Sequence, residues 1–243
     1  MKMGKETMTI DRRKLLIGTG AASTALIAAP YVARAQARPR VVIIGGGAGG
    51  ATAAKYLAKD SQGKIDVTLI EPARQFVTCF HSNLFLGGFK DMKAITFGYE
   101  ALKNYGVKVI HSRVEMIDRA EKRVVLDDSS HQAYDRLIVS PGIDLKYDSV
   151  PGWGQEHEEV MPHAWKAGKQ TEILRAKLDQ VPDGGLIVMI APPNPYRCPP
   201  GPYERVSMMA HRLKQAGKTK AKIIILDPKE SFSKQGLFQE GWE

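Results

Sequence analysis

The chain has 243 residues, 43% of them hydrophobic and 25% charged, enough apolar side chain for one large α/β domain or two modest ones and too much for a disordered chain. Formal net charge is +9, with +4 of it in residues 1–37; the rest is scattered without a Lys/Arg-rich run or basic helical stripe, which excludes the electrostatic footprint of a nucleic-acid binder. Two cysteines are too few for a disulfide scaffold, and there is no CxxCH motif for covalent haem.

Residues 1–37 divide into a charged head, an apolar middle and a small-residue exit. Arg12 and Arg13 precede the apolar stretch Leu15 to Ala29, which Gly18, Gly20, Ser23 and Thr24 dilute. Ala33-Arg34-Ala35 and Ala35-Gln36-Ala37 each fit an A-x-A cleavage site. At about 1.5 Å per residue the stretch is too short for a hydrocarbon core of roughly 30 Å. The adjacent arginines resemble a twin-arginine export signal. That resemblance implies a periplasmic protein, exported folded with its cofactor and without stable membrane insertion. Its mature chain is expected to begin near Gln36 or Arg38.

Val41 to Ile44 is a continuous β-branched run, as expected of a strand buried on both faces. It leads into Gly45-Gly46-Gly47-Ala48-Gly49-Gly50, then a helix predicted from Ala51 to about Lys59, then a strand from Ile65 to Ile70 that ends at Glu71. This is the GxGxxG pattern in its strand–helix–strand context. Gly45 permits the tight turn, Gly47 and Ala48 lie where backbone approaches a pyrophosphate, and Gly50 lets the helix pack closely on the sheet. The phosphates are expected at the helix N-terminus. Glu71 is placed to accept hydrogen bonds from a ribose. The spacing is the same for FAD and NAD.

Further on, a helix is predicted around Thr96–Asn104 and a strand over Val107–Ile110. Val114–Ile117 and Arg123–Leu126 read as a hairpin, and Leu137 to Val139 as a strand that enters the turn Ser140-Pro141-Gly142. A connecting helix is predicted over Gln170–Leu178, and His163 and Trp165 before it read as packing. The histidines have no metal-ligand spacing with cysteine, so no metal site is predicted.

Residues 186–227 repeat the βαβ rhythm, with strands at Leu186–Ile190 and Ile223–Leu226, a helix over Tyr203–Gln215, and Asp227 at the second strand's end. Between the first strand and the helix lies Ala191-Pro192-Pro193-Asn194-Pro195-Tyr196-Arg197-Cys198-Pro199-Pro200-Gly201-Pro202. Prolines lack the N–H groups that hold a pyrophosphate, so NAD(P)H is not expected to bind. A helix start and Arg197 surround Cys198 with positive potential, a setting that suits a reactive sulfur. An inert thiol in a rigid loop is the alternative.

These segments together resemble the two-dinucleotide-domain flavoproteins, and most closely the flavoprotein subunits of flavocytochrome c sulfide dehydrogenases, relatives of the sulfide:quinone oxidoreductases. The likeness rests on Gly45–Lys55 (GGGAGGATAAK), Thr68–Pro72 (TLIEP), Thr78-Cys79, Ser82-Asn83, Gly87-Gly88, Pro162–Gly168 (PHAWKAG), Arg197–Arg205 (RCPPGPYER) and Phe232–Gln235. It implies an α/β fold of tandem Rossmann-like, glutathione-reductase-like domains. Residues 1–37 would be the signal, 38–150 the first segment of the FAD-binding domain, and 151–243 a linker helix and the start of a second, incomplete domain. Gly142 falls in the place of the family's second FAD motif, although Ser140-Pro141 departs from the usual ending.

The resemblance further implies FAD as cofactor, a thioether from Cys79 to it, and Cys198 as half of a redox-active disulfide. From the residues alone, Cys79 reads as a small buried hydrophobe or as a disulfide partner of Cys198, and two cysteines in an exported chain favour the disulfide. Sulfide is the implied substrate and a c-type cytochrome subunit the implied partner. A quinone-reducing relative and a truncated, non-catalytic flavin-binding protein are the alternatives. The chain is expected to be an N-terminal part of a longer protein, without independent catalytic competence.

Overall fold

Along strand β1 (Arg40–Ile44), Val41 and Ile43 point to one face and Val42 to the other, and all three are buried. The strand runs parallel to β2 (Asp66–Ile70) on one side and to β9 (Arg136–Val139) on the other. With β5 (Lys108–Ile110) beyond β2, the sheet has four parallel strands in the order β5-β2-β1-β9. The structure, a computed structural model, describes residues 38–243; the predicted export signal lies outside the described residues.

Helix α1 (Ala48–Ser61) covers one face. Ala54 and Ala58 pack there on Val41, Ile43, Val67 and Leu69, together with Tyr99 and Leu102. The opposite face carries a three-stranded antiparallel sheet, β6 (Val114–Asp118), β7 (Arg123–Leu126) and β8 (His131–Ala133), whose Val124 and Leu126 meet Val42 and Ile70 with Tyr134. A parallel sheet thus has both faces covered, as its unbroken apolar strands require. Each fully buried aliphatic side chain contributes roughly 1.5–3 kcal/mol.

The start of β1 is fastened to β9 by one ion pair. Asp135 accepts from the Arg40 amide at 2.7 Å and from its Nε and Nη2 at 3.1 Å each, while the Asp135 amide donates to the Arg40 carbonyl at 2.8 Å. The guanidinium and amide bonds from Arg40 hold the Asp135 carboxyl down at about 2.

Two expectations need correction. The helix predicted at Thr96–Asn104 is instead strand β4 (Thr96–Gly98) followed by a 3₁₀ turn, Glu100–Tyr105. Phe97 lies directly opposite Phe76 of β3 (Gln75–Val77) in an antiparallel pair, so β-branched and aromatic residues meet across strands where a helix would have split them. Helix α1 begins at Ala48 rather than Ala51, taking Gly49 and Gly50 into its first turn. A short helix α2 (Ser82–Gly87) was not anticipated.

The second βαβ rhythm forms as predicted. After helix α3 (Lys169–Gln180), strands β10 (Leu186–Ile190) and β11 (Lys222–Leu226) pair in parallel around helix α4 (Gly201–Gln215). Leu178, Met209 and Leu213 bury one sheet face with Ile187 and Ile223. Leu186, Val188, Ile190, Ile224 and Leu226 lie exposed on the other. Helix α5 (Gln235–Trp242) lays Phe238 and Trp242 beside Phe232, which stacks on Tyr203 at 3.6 Å.

Two measurements test this packing. A β-carbon on Gly50 would sit 1.8 Å from the Gly45 carbonyl oxygen, whereas one on Gly63 meets nothing within 4 Å. Thermal or urea unfolding of Gly50→Ala is expected to show a loss above about 3 kcal/mol, against roughly 1 kcal/mol for Gly63→Ala, whose cost is only its positive φ. Asp135 has its folded pKa depressed, so its contribution is complete above the unfolded value near 3.8 and disappears as pH falls toward about 2. The stability difference between wild type and Asp135→Asn is therefore expected to be constant above about pH 5 and to vanish through that window.

Candidate functional site

The carboxyl ends of β1, β2 and β9 converge on the glycine turn. Gly45 has φ +96° and its amide donates to the Ile70 carbonyl at 2.9 Å. A β-carbon there would lie 2.0 Å from the carbonyl oxygen of Ser140, which follows β9. Above the turn the space changes character. A β-carbon on Gly47 would meet nothing closer than the Phe76 ring at 3.8 Å, and Ala48 and Gly49 are exposed. No side chain caps the N-terminus of α1 and no acidic residue sits in its first turn. Its leading amides are thus without a side-chain cap, with the Ser140 hydroxyl close beside Gly49, and together with the helix dipole they suit an anion. A diphosphate fits this cradle.

Glu71 stands beside it at the end of β2. One carboxylate oxygen accepts the Gly46 amide at 2.7 Å and the other the Ala73 amide at 2.9 Å, so each retains lone-pair capacity for a hydroxyl. Tyr99 donates to the Gly46 carbonyl at 3.1 Å, and burial with the nearby Glu71 charge pushes its phenol up to about 12. Tyr99 is thus a neutral brace under the turn. Gly142, with φ +85°, is exposed.

Cys79 follows the buried Thr78 and leads into α2. Thr78 is fixed by its amide bond to the Ile95 carbonyl at 2.9 Å, and its hydroxyl accepts the Phe80 amide at 3.2 Å. Cys79 and Cys198 are both exposed free thiols. The disulfide between them, open from the residues alone, is not formed.

At α4 the comparison with α1 reverses. The Gly201 amide donates to the Cys198 carbonyl at 2.9 Å, Pro202 has no N–H, and the Tyr203 and Glu204 amides both donate to the Pro200 carbonyl at 3.1 Å. The first turn of α4 has no amide left for a phosphate. Asp227, at the end of β11, stands where Glu71 stands in the first unit. It accepts from Lys229 Nζ at 2.6 Å and from the Tyr203 hydroxyl, and Lys229 also reaches the Pro192 carbonyl at 2.9 Å. Although burial opposes ionisation, these bonds hold Asp227 below the usual carboxylate range.

Cys198 sits in the left-handed region at φ 59°. A β-carbon on Gly201 would lie 3.1 Å from its sulfur and 3.2 Å from the Trp165 ring. Beneath this group is a residue that the sequence reading placed in the family motif but gave no role. Arg205 is 7% exposed and its guanidinium lies 5.3 Å from the centre of the Trp165 ring. It forms no ion pair with any carboxylate among the described residues. Burial pulls it down to about 10, against the raising influence of Cys198 and Glu204. The spacing signals its burial, though not its partners: Arg205, Met209 and Leu213 recur every four residues on the buried face of α4. His163 packs as expected, its Nδ1 accepting the Trp165 amide at 2.9 Å and its Nε2 facing Glu158 at 3.0 Å.

A family model described as pyridine nucleotide-disulphide oxidoreductase matches residues 39–181, and one for the central part of the sulfide dehydrogenase [flavocytochrome c] flavoprotein chain matches residues 171–243. The flavoprotein chain of that name from Chlorobaculum thiosulfatiphilum is 59% identical over 44 residues, 18% of this chain and 90% of that sequence. The mitochondrial sulfide:quinone oxidoreductase of Dictyostelium discoideum is 29% identical over 113 residues, 46% of this chain and 25% of that one. The structure of the Aquifex aeolicus sulfide:quinone oxidoreductase superposes with TM-score 0.63 at 23% identity, covering 78% of this chain and 43% of that one, which shows a shared fold. This chain therefore spans less than half of either quinone oxidoreductase. It belongs to the pyridine nucleotide-disulphide oxidoreductase family and, within it, to the sulfide dehydrogenase [flavocytochrome c] flavoprotein chains.

Proposed function

We propose that the chain is the FAD-binding part of an exported flavoprotein that oxidises sulfide to sulfur and passes electrons to a c-type cytochrome. The observation that carries this reading is the contrast between the two helix starts. The α1 end is bare and flanked by a carboxylate, while the α4 end is internally satisfied. One dinucleotide fits, in the first unit, and the family indicates FAD. When bound, FAD supplies an acceptor for the two electrons that sulfide loses on becoming zero-valent sulfur.

The chain's own residues divide the remaining work. The turn Gly45, Gly47, Ala48 and Gly50 holds the pyrophosphate, Glu71 accepts the ribose hydroxyls, and Gly142 lets the chain turn past the flavin side. Cys79, exposed on a strand-anchored loop, makes the covalent link. Cys198 is the sulfur that meets the substrate. Residues 38–150 form the flavin domain and 151–243 the linker with the second βαβ unit. On this reading NAD(P)H is not the electron donor: six prolines remove amides from the loop 191–202, the first turn of α4 bonds its own donors internally, and Lys229 and Tyr203 occupy Asp227. Among the described residues no helix is long and apolar enough to cross a membrane.

Denaturing mass spectrometry of the protease-digested protein tests the covalent assignment. A flavin-sized adduct on the Cys79 peptide is expected; an unmodified peptide from flavin-containing protein overturns it. In a Cys79→Ser background, where retention rests on noncovalent contacts alone, Glu71→Ala is expected to weaken FAD binding by roughly tenfold. Isothermal titration with NADH in the same background is expected to show no saturable heat.

A further inference from the structure

The guanidinium of Arg205 ties its own helix to two segments far away in sequence. Its Nε donates to Asn83 Oδ1 at 3.2 Å, Nη1 to the His163 carbonyl at 2.8 Å and Nη2 to the Ala164 carbonyl at 3.1 Å. Asn83 lies in α2, the helix that Cys79 leads into; residues 163 and 164 belong to the linker; Arg205 lies on α4, the helix that Cys198 precedes. Asn83 answers with its other end, Nδ2 donating to Glu204 Oε2 at 3.2 Å. Both halves of the Asn83 amide are therefore used by consecutive residues of α4.

A cation buried to this degree without a carboxylate is costly unless its donors are met by well-aimed acceptors. The planar fork meets that need by bonding each segment in a fixed direction, which a point charge does not do. Packing supports the same junction: a β-carbon on Gly87 of α2 would lie 3.0 Å from the Met208 sulfur of α4. Trp165, stacked on the guanidinium, also touches the Gly201 turn beside the Cys198 sulfur.

We propose that Arg205 and Asn83 form a clamp that fixes the Cys79-bearing segment relative to the Cys198-bearing loop, so that Arg205 is a positioning residue for the sulfur relay. The clamp rests on the reading of Cys79 and Cys198 as flavin link and relay sulfur, because only then does their relative placement govern a rate.

Hydrogen–deuterium exchange on the purified protein, in whatever state of flavin loading it is isolated, tests the clamp itself. In Arg205→Met, exchange is expected to rise roughly tenfold or more in 82–87, 163–168 and 199–205 together, the loss of charge-assisted bonds setting that scale. Arg205→Lys is expected to exchange like Arg205→Met, because an ammonium lacks the fork. Met209→Ala, a cavity on the same helix face, is expected to loosen α3 and α4 and leave 82–87 unchanged. If Arg205→Met does not fold, Asn83→Ala carries the test: it keeps the buried cation and is expected to raise exchange in 82–87. A rise confined to α4, or full recovery in Arg205→Lys, overturns the clamp.

The second readout is sulfide-dependent flavin reduction in the full-length protein. Asn83→Ala is expected to lower kcat severalfold at unchanged KM, and an unchanged kcat overturns the positioning role. If wild type shows no sulfide-dependent reduction, the sulfide reading fails while the exchange data still decide the clamp.

Discussion

The first unit depends on one backbone approach. Helix α1 comes so close to the turn before it that a β-carbon on Gly50 would lie 1.8 Å from the Gly45 oxygen. That closeness seats Ala54 and Ala58 on Val41 and Ile43 and brings the helix end to the carboxyl edge of the sheet. The same edge gathers Glu71 from β2 and Ser140 from β9 around the turn. Close packing and the placement of the uncapped helix start are thus two results of one missing side chain.

Two units of like topology put opposite chemistry at equivalent places. The α1 start is open, with amides free of side-chain caps. At the α4 start, prolines withdraw some donors and the carbonyls of Cys198 and Pro200 take the others. The strand-end acids repeat the contrast. Glu71 holds two backbone amides and keeps room for hydroxyls, whereas Asp227 is neutralised by Lys229 and capped by Tyr203. Local hydrogen bonding, rather than fold, separates the two.

Much of the fold was legible because its strands are continuous apolar runs and its punctuation is glycine or proline. Val41–Ile44, Leu137–Val139 and Leu186–Ile190 announced parallel strands, and Gly45, Gly50 and Glu71 lie together at the carboxyl edge of the first sheet. Thr96–Asn104 misled because its strand is specified by Phe76, a residue distant in sequence that Phe97 meets across the pair. The role of Arg205 was equally hidden. Its acceptors are backbone carbonyls and one Asn side chain, and no local pattern reveals which carbonyls a fold will leave pointing at a guanidinium. The cysteines were conspicuous by rarity, but their lack of a mutual bond emerged only from coordinates.

The internal closure around Asp227 has a consequence for protein engineering. Inserting a glycine loop alone would not give the α4 start the open donors found at α1. Pro202 would still deny a donor at the helix mouth, and the lysine bridge from Asp227 to Pro192 would still span the crevice. The closed helix start and the engaged acid are separate features, held by different residues, and each would have to be undone in its own right.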